Sequence, residues 1–124
     1  EKEKEEFKTM LSPDARLRVG DWMYWIEYDN DTKERAAIWE QFELYVTKLV
    51  PINNHDPVVW VCKDGRRRDE MKQWWDLYKE NPPLSPELQE VVARKQGRGE
   101  SMYLPKMHFF AAGEETKSLL TGRL

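Results

Sequence analysis

A strand, a tight turn and a helix between residues 58 and 83 limit the folds that this chain can adopt. Residues 58–62 form a continuous apolar run, typical of a buried strand, and Asp64-Gly65 is a turn signal that ends it. Four large side chains then recur at the spacing of one helix face: Met71, Trp74, Trp75 and Tyr78. This spacing predicts a helix over residues 67–80, and Asn81-Pro82-Pro83 ends it because proline cannot continue a helix.

Three other stretches indicate regular structure. Residues 19–28 consist almost entirely of strand formers and predict a strand. Residues 33–49 carry apolar side chains at helical spacing, although Tyr45-Val46-Thr47 would also suit a strand; periodicity favours the helix, and Asp31 with Glu34 has the spacing of a capping box. Ser85-Pro86-Glu87 is the signature of a helix start.

These elements predict one domain with three parts: a charged N-terminal arm over residues 1–18, a small core over residues 19–96, and an extended tail over residues 97–124. The tail has aromatic patches but no hydrophobic period, so we expect it to lie on another surface. The predicted fold class is α+β, with a small β element, one or two short helices and extended, irregular terminal arms.

Composition excludes several classes of protein. The 124 residues include 20 Lys and Arg against 23 Asp and Glu, a formal net charge of -3, which does not describe a dedicated nucleic-acid binder. No apolar run is long enough to cross a membrane, and the charged run at residues 1–6 lacks the apolar core of a signal peptide. A single cysteine, Cys62, excludes an internal disulfide framework and indicates a reducing compartment.

Catalytic chemistry finds little support in the sequence. No phosphate-binding, dinucleotide-binding, nucleophile-elbow or zinc-protease motif occurs. His55 and His108 have no ligands at metal-binding spacing, and Cys62 within an apolar strand is expected to be an inert core residue. We therefore expect a protein that is not an enzyme and that has no cofactor and no metal.

Arg66, Arg67 and Arg68 form the one local basic cluster. Because a Trp-rich helix follows, the cluster could bind single-stranded nucleic acid. Asp64, Asp69 and Glu70 flank it, however, so the arginines could equally pair with acidic groups on a partner subunit or in the N-terminal half of the chain.

A set of short motifs within residues 19–90 occurs in an order known from one family: Trp60-Val61, Asp64-Gly65, Glu70 with Trp74, Pro82-Pro83 and Glu87-Leu88, preceded by Met23-Tyr24-Trp25-Ile26-Glu27 and Glu34-Arg35. This order resembles the small accessory subunit of mitochondrial respiratory complex I and its mimitin-like assembly-factor paralogue. The family's glycine-asparagine turn is missing here, and Arg68-Asp69 stands in place of its Pro-Pro. The resemblance implies that residues 33–46 pair as a strand and that the chain is a non-catalytic subunit without a cofactor.

The expected function is therefore that of an accessory or assembly subunit of a large complex, with mitochondrial NADH:ubiquinone oxidoreductase (complex I) as the specific candidate. The implied location is the matrix side of the inner membrane, or the cytoplasm without the resemblance. Partners would be protein subunits, with no small-molecule substrate, nucleic acid disfavoured, and at most a peripheral membrane contact. The predicted partner-binding residues are Arg66, Arg67, Arg68, Trp74, Trp75, Tyr78, Tyr103, Phe109 and Phe110.

Two alternatives remain open. One is a stand-alone protein-binding adaptor or inhibitor module that uses its Trp-rich face. The other is a single-stranded nucleic-acid binder that uses Arg66, Arg67 and Arg68.

Overall fold

The computed structural model describes residues 11–83, 85–99 and 103–116. Within these ranges the elements follow in the order β1 (Ala15–Val19), β2 (Trp22–Asp29), α1 (Arg35–Leu49), β3 (Val58–Cys62), α2 (Gly65–Glu80), α3 (Pro86–Gly97) and β4 (Met107–Ala111). The first ten residues of the predicted N-terminal arm and the last eight of the predicted tail lie outside the described residues.

The strands form one mixed sheet in the order β1-β2-β3-β4. β1 and β2 form an antiparallel hairpin, and Gly20 in its turn has a φ of 63°, a conformation that glycine adopts without strain. β2, β3 and β4 are parallel, so each connection between them must cross over the sheet. α1 makes the first crossover, and α2 with α3 makes the second. The predicted α+β class is confirmed, and the described residues hold more helices than the one or two that were expected.

The helices pack on one face of the sheet and build the main core there. Its buried side chains come from all three helices and from one face of β3, and include Phe42, Trp60, Met71, Trp75, Tyr78 and Leu88. A second, smaller cluster lies on the opposite face of the sheet and consists of Tyr24, Ile26, Val59 and Val61. All five residues of β3 are therefore buried, as the continuous apolar run predicted.

The helix over residues 33–49, which periodicity favoured, is confirmed as α1. Its buried residues are Ile38, Phe42, Tyr45, Val46 and Leu49, a stripe with helical spacing. The strand that the family resemblance implied for residues 33–46 is therefore wrong. The predicted capping box is also wrong, because Glu34 occupies the N-cap position without a side-chain hydrogen bond, and Asp31 instead has a φ of 60° and contacts arginines.

The other helix boundaries agree with the sequence signals. Asp64 caps α2 by accepting a hydrogen bond from the Arg67 amide at 2.9 Å, and α2 ends before Asn81. Ser85 caps α3 by accepting from the Leu88 amide at 3.2 Å.

The predicted arm and tail both contribute strands, so their boundaries are wrong within the described residues. Residues 15–18 of the predicted arm belong to β1, whose apolar positions alternate with Arg16 and Arg18. The aromatic patch at residues 107–110 belongs to β4, which pairs with β3 along its whole length. The reason is that both are edge strands, in which polar or half-buried side chains weaken the hydrophobic pattern.

Candidate functional site

Two edges of the sheet collect polar side chains. The parallel strands β2, β3 and β4 all end at one edge, which we call the carboxyl edge, and all begin at the other, which we call the amino edge. α2 starts at the carboxyl edge, directly after β3, and brings the three arginines predicted as a partner site to it. In open α/β sheets ligands commonly bind outside the carboxyl ends of the strands, so the carboxyl edge is the first place to look for a site.

Arg67 is buried at the carboxyl edge, with 2% of its surface exposed. Its guanidinium donates to both carboxylate oxygens of Asp29, at 2.7 and 3.2 Å, to the Lys33 carbonyl at 2.7 Å, and to Glu70 at 2.7 Å. The same group lies 5.0 Å from the centre of the Trp74 ring. The Arg67 guanidinium therefore forms buried ion pairs and hydrogen bonds within the chain. Because a partner cannot reach it, the prediction that Arg67 contacts a partner is wrong.

The neighbouring arginines are also paired within the chain. Arg66 forms an ion pair with Asp31, and Arg68 pairs with Asp69 at 2.9 Å and Glu114 at 2.8 Å. Arg66 and Arg67 thus bind acidic groups of the N-terminal half, which is one of the two pairings predicted for them. The acidic partners neutralise the cluster, which weakens the case for a nucleic-acid site built on it.

A buried carboxyl group lies beside these ion pairs. Glu27 on β2 is 7% exposed and accepts a hydrogen bond from the Tyr45 hydroxyl of α1 at 2.5 Å. Burial raises the pKa of Glu27 to about 7, and the nearby Asp14 carboxylate adds to the rise while the Tyr45 hydrogen bond opposes it. Burial and the Glu27 contact also raise the pKa of Tyr45, so its hydroxyl keeps its proton and remains the donor.

Sequence reasoning did not single out Glu27. The available signal was its place in the predicted strand: it shares a face with Met23 and Trp25 and therefore projects toward the same side as two large side chains. Among the described residues, no group of three or more His, Cys, Asp or Glu side chains is arranged to hold a metal ion.

Most of the aromatic residues predicted to bind a partner belong to the core. Trp75 and Tyr78 are 3% and 0% exposed, and their rings stack at 5.4 Å, so a partner cannot reach them and that prediction is wrong. Trp74 is half-buried against the main core. Phe109 and Phe110 are half-buried on opposite faces of β4 and pack against the main and the second cluster respectively.

Tyr103 is the exception, because 68% of its surface is exposed. It lies at the amino edge and lines one groove together with Trp22, which is 64% exposed and was not predicted as a site residue. We call this the aromatic groove; its volume is about 390 Å³. Its lining consists of Trp22, Asn54, His55, Tyr103, Leu104, Pro105 and Lys106.

A second, smaller depression is formed by α3 and by the loop that precedes β3. We call it the basic cleft; it has a volume of about 70 Å³ and is lined by Pro51, Asn53, Val91, Arg94, Lys95 and Arg98. The Lys95 ammonium donates to the Asn53 side chain at 2.6 Å and so ties α3 to the loop. The loop before β3 contributes one residue to each depression, Asn53 to the basic cleft and Asn54 to the aromatic groove.

Cys62 has the inert environment that the sequence predicted. Its side chain is fully buried, its sulfur lies 3.7 Å from the Met71 sulfur, and burial raises the pKa of the thiol to about 12. We expect no reaction with dithiobis(nitrobenzoate) at neutral pH while the chain is folded, and one equivalent of released thiolate after unfolding in guanidinium. Rapid labelling of the folded protein would contradict this burial.

Comparison with protein-family models, curated proteins and solved structures finds no match to this chain. No helix in the described part of the chain is both long enough and apolar enough to cross a membrane.

Proposed function

We propose that this chain is a non-catalytic binding protein whose working surface is the aromatic groove of the amino edge. The observation that carries the proposal is that two exposed large aromatic side chains, Trp22 and Tyr103, line the same groove. Exposed tryptophan and tyrosine are enriched where proteins bind partners, because each ring contributes much contact area at little entropic cost.

The charged groups of the carboxyl edge support this choice, because they are paired with one another within the chain. Arg66, Arg67 and Arg68 are bound to carboxylates of the same chain, and Glu27 is bonded to Tyr45 in the interior. Groups held in this way hold helices and strands together, and each would have to break a contact before it could bind a ligand.

An accessory or assembly role in a larger complex fits a protein of this kind, and membership of respiratory complex I stays a prediction. The family resemblance that suggested complex I also implied a strand where α1 lies, and that strand is wrong. The binding proposal rests on the aromatic groove and does not use the resemblance. Co-migration of the chain with NADH dehydrogenase activity on a native gel would test that specific assembly.

Site-specific photocrosslinking tests the binding proposal. We expect benzoylphenylalanine in place of Trp22 to form a discrete crosslinked species when cells producing the protein are irradiated. The matched control is the same residue in place of Leu77, which is 40% exposed on α2, away from the groove lining. A discrete species from position 22 alone supports the proposal, whereas no species from position 22, or the same species from both positions, overturns it.

A further inference from the structure

Positive charge lines the two depressions of the amino edge although the whole chain is acidic. Four cationic side chains line these depressions: Arg94, Lys95, Arg98 and Lys106. Among the described residues no carboxylate lines either depression, while the chain as a whole carries a net charge of -3. The nearest acidic residue in the adjoining loop, Asp56, is paired with Arg16 at 2.9 Å.

Helix electrostatics alone does not account for this arrangement. Cations in the last turn of a helix are favoured by the helix dipole, which accounts for Arg94 and Lys95 near the end of α3. Lys106, however, lies directly before β4 on a separate segment, and it lines the aromatic groove rather than the basic cleft. Two chain segments therefore bring cations to the same edge.

The aromatic groove adds flat, accessible rings to this positive surface. Trp22 and Tyr103 are both about two-thirds exposed, and the His55 ring lies 6.4 Å from the Tyr103 ring at an angle of 69°. A binder of single-stranded nucleic acid needs these two features side by side, because bases stack on aromatic rings while phosphates contact cations. A duplex hides its base faces, so it would use the cations alone.

We propose that the amino edge binds single-stranded nucleic acid, with bases stacked on Trp22 and Tyr103 and the phosphate backbone along Arg94, Arg98 and Lys106. This inference rests on the proposed binding function and names its ligand. The phosphates would follow the loop before β3, which contributes Asn53 to the basic cleft and Asn54 to the aromatic groove. The site differs from the one that the sequence suggested for nucleic acid, because it uses none of the three arginines of α2.

Fluorescence anisotropy of a labelled oligothymidylate of about ten nucleotides tests the inference. We expect Trp22→Ala and Tyr103→Ala each to weaken binding about tenfold, because each removes one stacking platform. Arg94→Gln combined with Arg98→Gln should reduce the slope of log affinity against log salt by about 1.4, since each phosphate contact to a single strand contributes about 0.7.

Matched controls separate stacking from general charge attraction. Tyr28→Ala removes an aromatic residue that is 58% exposed outside the groove, and Arg66→Gln removes an exposed arginine of the carboxyl edge; both should leave the affinity within about twofold. A duplex of the same length should bind more weakly than the single strand. Equal binding of duplex and single strand, with no effect of Trp22→Ala, overturns the inference.

The crosslinked species from position 22 distinguishes the two proposals. A nuclease-sensitive species supports both. A nuclease-resistant species that contains a second polypeptide, together with absence of oligothymidylate binding, overturns the nucleic-acid inference and leaves the binding function standing. Absence of both the species and the oligothymidylate binding overturns both proposals.

Discussion

Replacing Arg67 by methionine is expected to lower the free energy of unfolding by about 3–5 kcal/mol, measured by urea denaturation at neutral pH. The reason is that the Asp29 carboxyl group would remain in the interior without its ion-pair partner, since the side chains of Arg67 and Asp29 are each only 3% exposed. The Lys33 carbonyl and one Glu70 oxygen would also lose their donor. Methionine keeps much of the length of the side chain, so the lost charge rather than a cavity dominates the effect.

Two further variants identify the cause of the loss. Arg66→Met removes the adjacent arginine, whose side chain is 61% exposed, and should change stability by less than about 1 kcal/mol. Adding Asp29→Leu to Arg67→Met removes the unpaired carboxyl group and should recover part of the lost stability. An Arg67→Met variant as stable as Arg66→Met would contradict the buried ion pair, as would a double variant less stable than Arg67→Met alone.

The burial of Arg67 could have been found in the sequence. Position 67 precedes Met71 by four residues and Trp74 by seven, which places it on the same helix face as the apolar stripe. Sequence reasoning treated the three arginines as one cluster, yet helical periodicity separates the middle one from its neighbours. What periodicity does not provide is the partner, because Asp29 lies 38 residues away and reaches Arg67 only through the sheet.

The partners of the edge strands and the aromatic groove could not be predicted from local sequence patterns. β3 was predicted because both its faces are buried and its residues are uniformly apolar. β4 pairs with residues more than 40 positions earlier, so nothing local indicates its partner. Trp22 and Tyr103 meet only because the start of β2 and the segment before β4 share the amino edge of the sheet. A site made by topology in this way cannot be read from spacing.

Replacing Glu27 by glutamine is expected to make stability less dependent on pH. The folded chain holds the Glu27 proton with a pKa of about 7, whereas the unfolded chain holds it with the ordinary value of 4.5. Between these values unfolding releases a proton, so this carboxyl group lowers the free energy of unfolding as the pH rises from about 4.5 to 7. Above the folded pKa of Glu27 the decrease in the free energy of unfolding is complete and amounts to about 3 kcal/mol.

The measurement that isolates this effect is the difference in unfolding free energy between Glu27→Gln and the unaltered chain at several pH values. Because glutamine can still accept the Tyr45 hydrogen bond but carries no charge, the difference should move in favour of the variant by about 3 kcal/mol between pH about 4.5 and 8. Glu40→Gln makes the same replacement at an exposed position on the same helix as Tyr45 and serves as the matched control. If the difference for Glu27→Gln were constant with pH, the Glu27 carboxyl group would ionise as easily in the folded protein as in the unfolded chain. That result would contradict the desolvation of Glu27 by burial against α1.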